Sequence, residues 1–109
     1  MTLDSMPQPV MAYLASEEAK NAQALSRCFA EDGTVHDEGE DYHGRAAIQR
    51  WKEAADAKYC YVLQPIGGRT EGDTTTVLAR LTGDFPGSRV DLNHIFTISQ
   101  DEIISLEIR

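Results

Sequence analysis

The chain has 109 residues, 41% hydrophobic and 26% charged, with 18 acidic against 10 basic side chains and a formal net charge of −8. That length supports one hydrophobic core, read here as a single domain over residues 1–109, and the ordinary composition excludes a disordered chain. So acidic a surface repels phosphate backbones and argues against nucleic acid as a partner. No run approaches the ~20 apolar residues that span a bilayer, and residues 1–30 hold no signal-peptide apolar core, so a cytoplasmic location without a membrane partner is expected.

Residues 7–19 are predicted helical. Pro7 suits a first turn, and Val10, Met11 and Leu14 recur at helical spacing with Tyr13 beside that stripe. Residues 20–30 are predicted as a second helix with Ala24, Leu25, Cys28 and Phe29 as its apolar stripe, closed by a left-handed cap at Gly33. A short strand over Thr34–Glu38 turns at Gly39 and returns through Tyr42 and His43. A third helix runs from near Gly44 to about Ala57 and buries Ala47, Ile48, Trp51 and Ala55; Trp51 reads as core or as the wall of a pocket.

From Tyr59 the pattern becomes that of strands: Tyr59–Ile66, Thr74–Phe85, Arg89–Ile98 and Glu102–Ile108. Pro65 marks an edge or a bulge, Gly67–Gly68 and Glu71–Gly72–Asp73 frame a turn region, and Pro86–Gly87–Ser88 makes a hairpin turn. Helices followed by strands predict an α+β domain, a mostly antiparallel sheet with helices on one face. If that sheet curls around the helices, an apolar cone opens between the two layers.

Cys28 and Cys60 have no metal-binding spacing and read as reduced thiols, with a disulfide as the alternative. His36 and Asp37 point to opposite sides of a strand, so with His43 they make a poor ligand set; no metal and no cofactor is expected. In the strand from Arg89, Asp91, Asn93, Ile95 and Thr97 share one face, and Leu92, His94, Phe96 and Ile98 the other, more apolar one. With Asn93 turned inward, that apolar face becomes the outer side of the sheet, His94 is a packed or interface histidine, and a homodimer forms sheet to sheet. Arg80 and Arg89 are placed to pair across strands with Asp91 or Asp84.

The run Phe29-Ala30-Glu31-Asp32-Gly33-Thr34-Val35-His36-Asp37, then Tyr42-His43-Gly44-Arg45-Ala46-Ala47-Ile48-Gln49-Arg50-Trp51, resembles the SnoaL-like and ketosteroid-isomerase-like branch of the NTF2-like superfamily. Asn93-His94-Ile95-Phe96-Thr97-Ile98 with Asp101-Glu102-Ile103-Ile104 is similar to that family's closing hairpin. The resemblance implies an NTF2-like cone: three N-terminal helices on a curved, mostly antiparallel sheet around an apolar pocket. It further implies Asp37 as a general base, Tyr13 as an oxyanion donor and Asn93 at the position where ketosteroid isomerases carry a protonated Asp. Asn93 for Asp, Glu38 for the Pro after the base, and a loop about two residues shorter before Gly44 depart from that pattern.

A carboxylate base and neutral donors around an enolate oxygen make a coherent set for enolisation. The implied function is a cofactor-independent isomerase or cyclase acting on a small apolar carbonyl compound, with Trp51, Phe29, Ile95 and Leu14 as substrate contacts. The alternative is a non-catalytic module that binds a small hydrophobic ligand or serves for dimerisation. Each catalytic candidate also has a plainer reading: Asp37 as a solvated strand residue, Tyr13 as a core tyrosine with its hydroxyl at the edge.

Overall fold

Pro7 stands at the N-cap of the first helix, α1 (Gln8–Glu18), where its missing N–H costs no hydrogen bond. The computed structural model describes residues 6–109. Lys20 takes a positive φ of 55° to leave α1. Asn21 then caps α2 (Ala22–Ser26), its side-chain oxygen accepting from the Ala24 N–H at 3.0 Å.

The second helix is shorter than its apolar pattern suggests. Phe29 opens a strand, β1 (Phe29–Asp37), rather than ending a helix. Gly33 is a strand residue and not a left-handed cap: a Cβ there would stand 3.1 Å from Phe29 Cβ and 3.2 Å from the Ile103 carbonyl oxygen. Its missing side chain serves close packing of neighbouring backbones. After a turn at Glu38 and Gly39, both at positive φ, β2 (Glu40–His43) pairs back on β1. Gly44, at φ 89°, leads into α3 (Arg45–Lys58).

Four strands follow: β3 (Tyr61–Glu71), β4 (Thr74–Gly83), β5 (Val90–Ser99) and β6 (Glu102–Ile108). The six-stranded sheet has the order β2-β1-β6-β5-β4-β3. It is mostly antiparallel, as expected, with β1 lying parallel to β6 and the other pairs antiparallel. β3 is an edge strand and its register shifts between Pro65 and Gly67, the tolerated setting for a proline. Gly67 and Gly68 belong to β3, and the turn falls at Gly72.

The core joins Val10 and Tyr13 of α1, Leu25 of α2 and Ile48 of α3 to Phe29, Val35, Val77, Phe96, Ile103 and Leu106 of the sheet. The parity of β5 is opposite to that required for an inward Asn93. His94 and Phe96 are buried on the helix side, whereas Asp91 and Asn93 are exposed on the outer side. The apolar side of a strand goes to the core, and a one-residue slip would turn all of it to water. The outer side instead carries a bidentate pair in which Arg80 donates to Asp91, Nε to Oδ1 at 2.9 Å and Nη2 to Oδ2 at 3.1 Å. Among the described residues no helix is long and apolar enough to cross a membrane.

Candidate active site

The inner face of the sheet and the helices border a cavity of about 820 Å³ that opens to solvent, within the range of small-molecule sites. Its apolar wall comes from alternate residues of the strands, Leu63, Leu81, Leu92 and Ile108, and its aromatic wall includes Trp51, Tyr42, Tyr59 and Phe85. Asp37, Glu38, Tyr13, Glu17, Tyr61 and His94 are the acidic and hydrogen-bonding groups that meet it, and Arg50 and Lys58 add two basic side chains.

Asp37 is the last residue of β1, half-buried and on the same side as Val35. Trp51, on the second turn of α3, donates its indole N–H to Asp37 Oδ2 at 3.1 Å. Burial raises the carboxyl's pKa above the ordinary aspartate value; the Trp51 bond pulls it back and the neighbouring Glu38 charge pushes it up further. The carboxylate is therefore more basic than a solvated one and held in one direction.

Tyr13 projects from α1 between two aromatic rings, with Phe96 at 5.0 Å and Phe29 at 6.2 Å between centroids, both edge-on. It is 1% exposed yet lines the cavity. Burial, and after it the Glu17 carboxylate, holds the phenol pKa well above its usual range. The group is a neutral hydrogen-bond donor at any physiological pH.

Behind Tyr13 lies a buried ionic cluster. Lys52, 1% exposed, reaches Glu17 Oε2 at 2.6 Å, Asp56 Oδ1 at 2.5 Å and the Tyr61 hydroxyl at 2.6 Å. Lys20 closes the cluster, 3.2 Å from Glu17 and 3.8 Å over the Tyr61 ring. Burial, then the Glu17 and Asp56 charges, keeps Tyr61 protonated.

His94 is a further polar residue of the wall. It is 3% exposed, and its Nδ1 has no hydrogen-bond partner. Burial lowers its pKa to about 4, against opposing contributions from the Leu92 carbonyl and Glu17, so the imidazole is neutral at pH 7.

The cavity thus brings Asp37, Tyr13 and Trp51 together and leaves out the other sequence-derived candidates. Asn93 is exposed on the outer face, because β5 turns its apolar side inward. Ile95 shares that outer side. Phe29 is fully buried in the core beside Tyr13, and Leu14 packs against the core, neither reaching the cavity. Glu17 and Lys52 carry no motif signal in the sequence, and His94, expected as a packed or interface histidine, lines the cavity instead of the outer face. The alternation of β5 contains the signal for His94, and Lys52 four residues after Ile48 puts a charge on a buried helix face. Among the described residues no three His, Cys, Asp or Glu side chains gather as a metal site.

Residues 10–106 match the model of the SnoaL-like domain. The fold superimposes on a candidate polyketide cyclase from Sinorhizobium meliloti with a TM-score of 0.95, 38% identity and full coverage of both chains. A protein with a ketosteroid-isomerase-like fold from Catenulispora acidiphila, solved with trimethylamine, gives a TM-score of 0.84 and 27% identity over 96% of this chain and 86% of that one. An NTF2-like protein from Cytophaga hutchinsonii, at 15% identity and a TM-score of 0.77 over 93% of this chain and 85% of that one, shares the fold. No curated protein matches the sequence. With a family match along most of its length and the curved sheet, helices and cavity described above, the chain belongs to the SnoaL-like domain family of the NTF2-like fold.

Proposed function

We propose that this protein is a cofactor-independent enzyme of the isomerase or cyclase type that enolises a small apolar carbonyl compound. The observation that carries this reading is the half-buried Asp37 carboxylate, raised in basicity and held by Trp51, in the wall of the same largely apolar cavity as the protonated Tyr13. Asp37 takes a proton from the carbon next to the carbonyl, and the electron pair moves onto the carbonyl oxygen. Tyr13 donates to that oxygen as it becomes negative, in a site where low polarity strengthens the bond. With a β,γ-unsaturated ketone the dienolate takes the proton back from Asp37 at the γ-carbon, an isomerisation; with a second carbonyl in the same molecule the enolate carbon attacks it and the new alkoxide takes the proton from Asp37, a cyclisation. Asn93 has no part in this scheme.

The test is deuterium uptake at the α-carbons of 2-tetralone in D2O, followed by proton NMR. The wild-type protein is expected to accelerate exchange and Asp37→Asn to lose the acceleration. Equal rates in both proteins would remove Asp37 from the mechanism.

A second reading, ligand binding without turnover, is favoured by the trimethylamine complex of the Catenulispora protein together with the rings of Trp51, Tyr42, Tyr59 and Phe85 and the carboxylates of Asp37 and Glu38 around this cavity. Such a wall suits a small organic cation. Trimethylammonium binding by calorimetry, with no 2-tetralone exchange, would select it.

A homodimer and a cytoplasmic location complete the proposal. Exposed Val62 and Leu78 on the outer side of the sheet, with Ile104, support the dimer, in place of the apolar side of β5 that is used for the core. A monomer at micromolar concentration by light scattering would refute it. The free thiols of Cys28 and Cys60 support the location.

A further inference from the structure

Helix α3 crosses the cavity from one side of the sheet to the other. Trp51, on its second turn, bonds Asp37 at the tip of β1. Its last residue, Lys58, leads through Tyr59 into β3, the edge strand at the far end of the order β2-β1-β6-β5-β4-β3. From Trp51 to Lys58 is two helical turns, so the two side chains share one line of the helix, roughly 10 Å apart along its axis. Ala54 and Ala55 lie between them and leave that line open, and all four residues line the cavity.

The rim remote from Asp37 is made by Lys58, Tyr59 and Phe85. Lys58 Nζ stands 5.2 Å from the centre of the Tyr59 ring, over its face, and Phe85 meets the same ring edge-on at 6.0 Å. The ammonium is thereby drawn to the mouth of the cavity. Lysine in a last turn also suits the negative end of a helix, but any position of that turn would serve, and Lys58 occupies the one in line with Trp51.

This ammonium is free in a chain where 18 acidic side chains face 10 basic ones. Among the described residues six Lys and Arg side chains join ion pairs, and Lys58 joins none. The carboxylates of the cavity lie elsewhere: Asp37 and Glu38 at the tip of β1, and Glu17 matched to Lys52 at 2.6 Å. The cavity is therefore polarised along α3, with a base at one end and an unneutralised cation at the other. Leucines of the sheet, Leu63, Leu81 and Leu92, make the wall opposite.

We infer that Lys58 seats a carboxylate carried by the substrate at the end remote from the carbon that meets Asp37. The inference deepens the general-base reading and rests on it for the position of the ketone. The substrate class is an apolar keto acid whose ketone and carboxylate stand at opposite ends of a ring system. A single anionic charge fits this rim better than a phosphate dianion, because the field of a chain with a net charge of −8 opposes a dianion more strongly.

The probes are 6-carboxy-2-tetralone and its methyl ester, which share the ketone and differ in charge at the far end of the bicycle. Lys58 is exposed, so its substitution leaves the core intact. Calorimetry on the wild-type protein is expected to show the acid bound about fivefold more tightly than the ester. Lys58→Gln brings the two affinities together and Lys58→Glu favours the ester. Arg27→Gln, the same loss of charge at an exposed position away from the cavity, keeps the wild-type preference. Equal wild-type affinities, a preference for the ester, binding of neither compound, a preference that survives in Lys58→Gln, or an equal loss in Arg27→Gln would each overturn the inference. Binding and deuterium exchange are separate readouts. Asp37-dependent exchange of 2-tetralone without a Lys58-dependent preference sinks only this inference, and a Lys58-dependent preference without exchange sinks only the enzymatic reading.

Discussion

The Trp51 indole N–H donates to Asp37 Oδ2 at 3.1 Å, which ties the tip of β1 to the second turn of α3. The bond favours the ionised carboxylate while burial opposes it. Trp51→Phe keeps a ring in the wall and removes the donor. Asp37 is then expected to titrate higher, so that the pH at which tetralone exchange rises moves up by about one unit. A pH–rate profile of the two proteins checks this, and an unchanged profile would show that the bond does not tune the base.

Asp37→Asn is expected to lower the exchange rate by at least about 100-fold, the usual worth of a positioned general base. The same substitution is expected to stabilise the fold at neutral pH. The folded-state pKa of Asp37 is raised, so the protonated form is favoured by folding and the ionised form is a cost that grows as pH rises through the acid range. Asparagine removes the charge and still accepts from Trp51. Thermal melts at pH 7 and near pH 3 are expected to show a higher Tm for the variant at the first pH and no gain at the second.

Asn93→Ala tests the corrected face of β5. The side chain is exposed on the outer side, away from the cavity. Exchange within about twofold of wild type and a stability change within about 0.5 kcal/mol are expected. A large loss of exchange with an intact fold would restore Asn93 to the site.

His94 makes stability depend on pH. Its pKa falls from the ordinary histidine value to about 4 on folding, so between those two values the unfolded chain binds a proton that the folded protein refuses. Stability is fully present above about pH 6.5 and declines as pH falls toward 4, by on the order of 3 kcal/mol in all. Glu17 and Lys52 act on the same ring with opposite signs and are present in wild type and variant alike. Urea melts between pH 4 and 7 are expected to show a flatter dependence in His94→Phe than in wild type; parallel curves would place the acid sensitivity elsewhere.

Lys52 and Glu17 form a buried pair at 2.6 Å. Lys52→Met leaves Glu17 and Asp56 with only the half-exposed Lys20 beside them and is expected to cost about 3 kcal/mol in urea melts. Adding Glu17→Leu to that variant removes the most buried of the surplus carboxylates and is expected to recover part of the loss. Additive effects would mean that the two side chains are energetically independent.

The order of elements and the α+β class were legible in the sequence because periodicity, glycines and prolines act locally. Asp37 and Tyr13 were legible through the family resemblance, and Trp51 through its place on the buried stripe of α3. The apolar pattern overextends the second helix because Phe29 continues a helical spacing, while its pairing beside Ile103 of β6 is a contact between distant parts of the chain. The family motif points Asn93 inward, whereas the alternation of Leu92, His94 and Phe96 already marks the side that burial claims. The amino-acid order by itself determined which segments are helix or strand and which face of each is apolar. Only the tertiary structure decided which polar groups share one cavity and that Lys52 is matched by three, because those depend on strand pairing and helix docking between residues far apart in the chain.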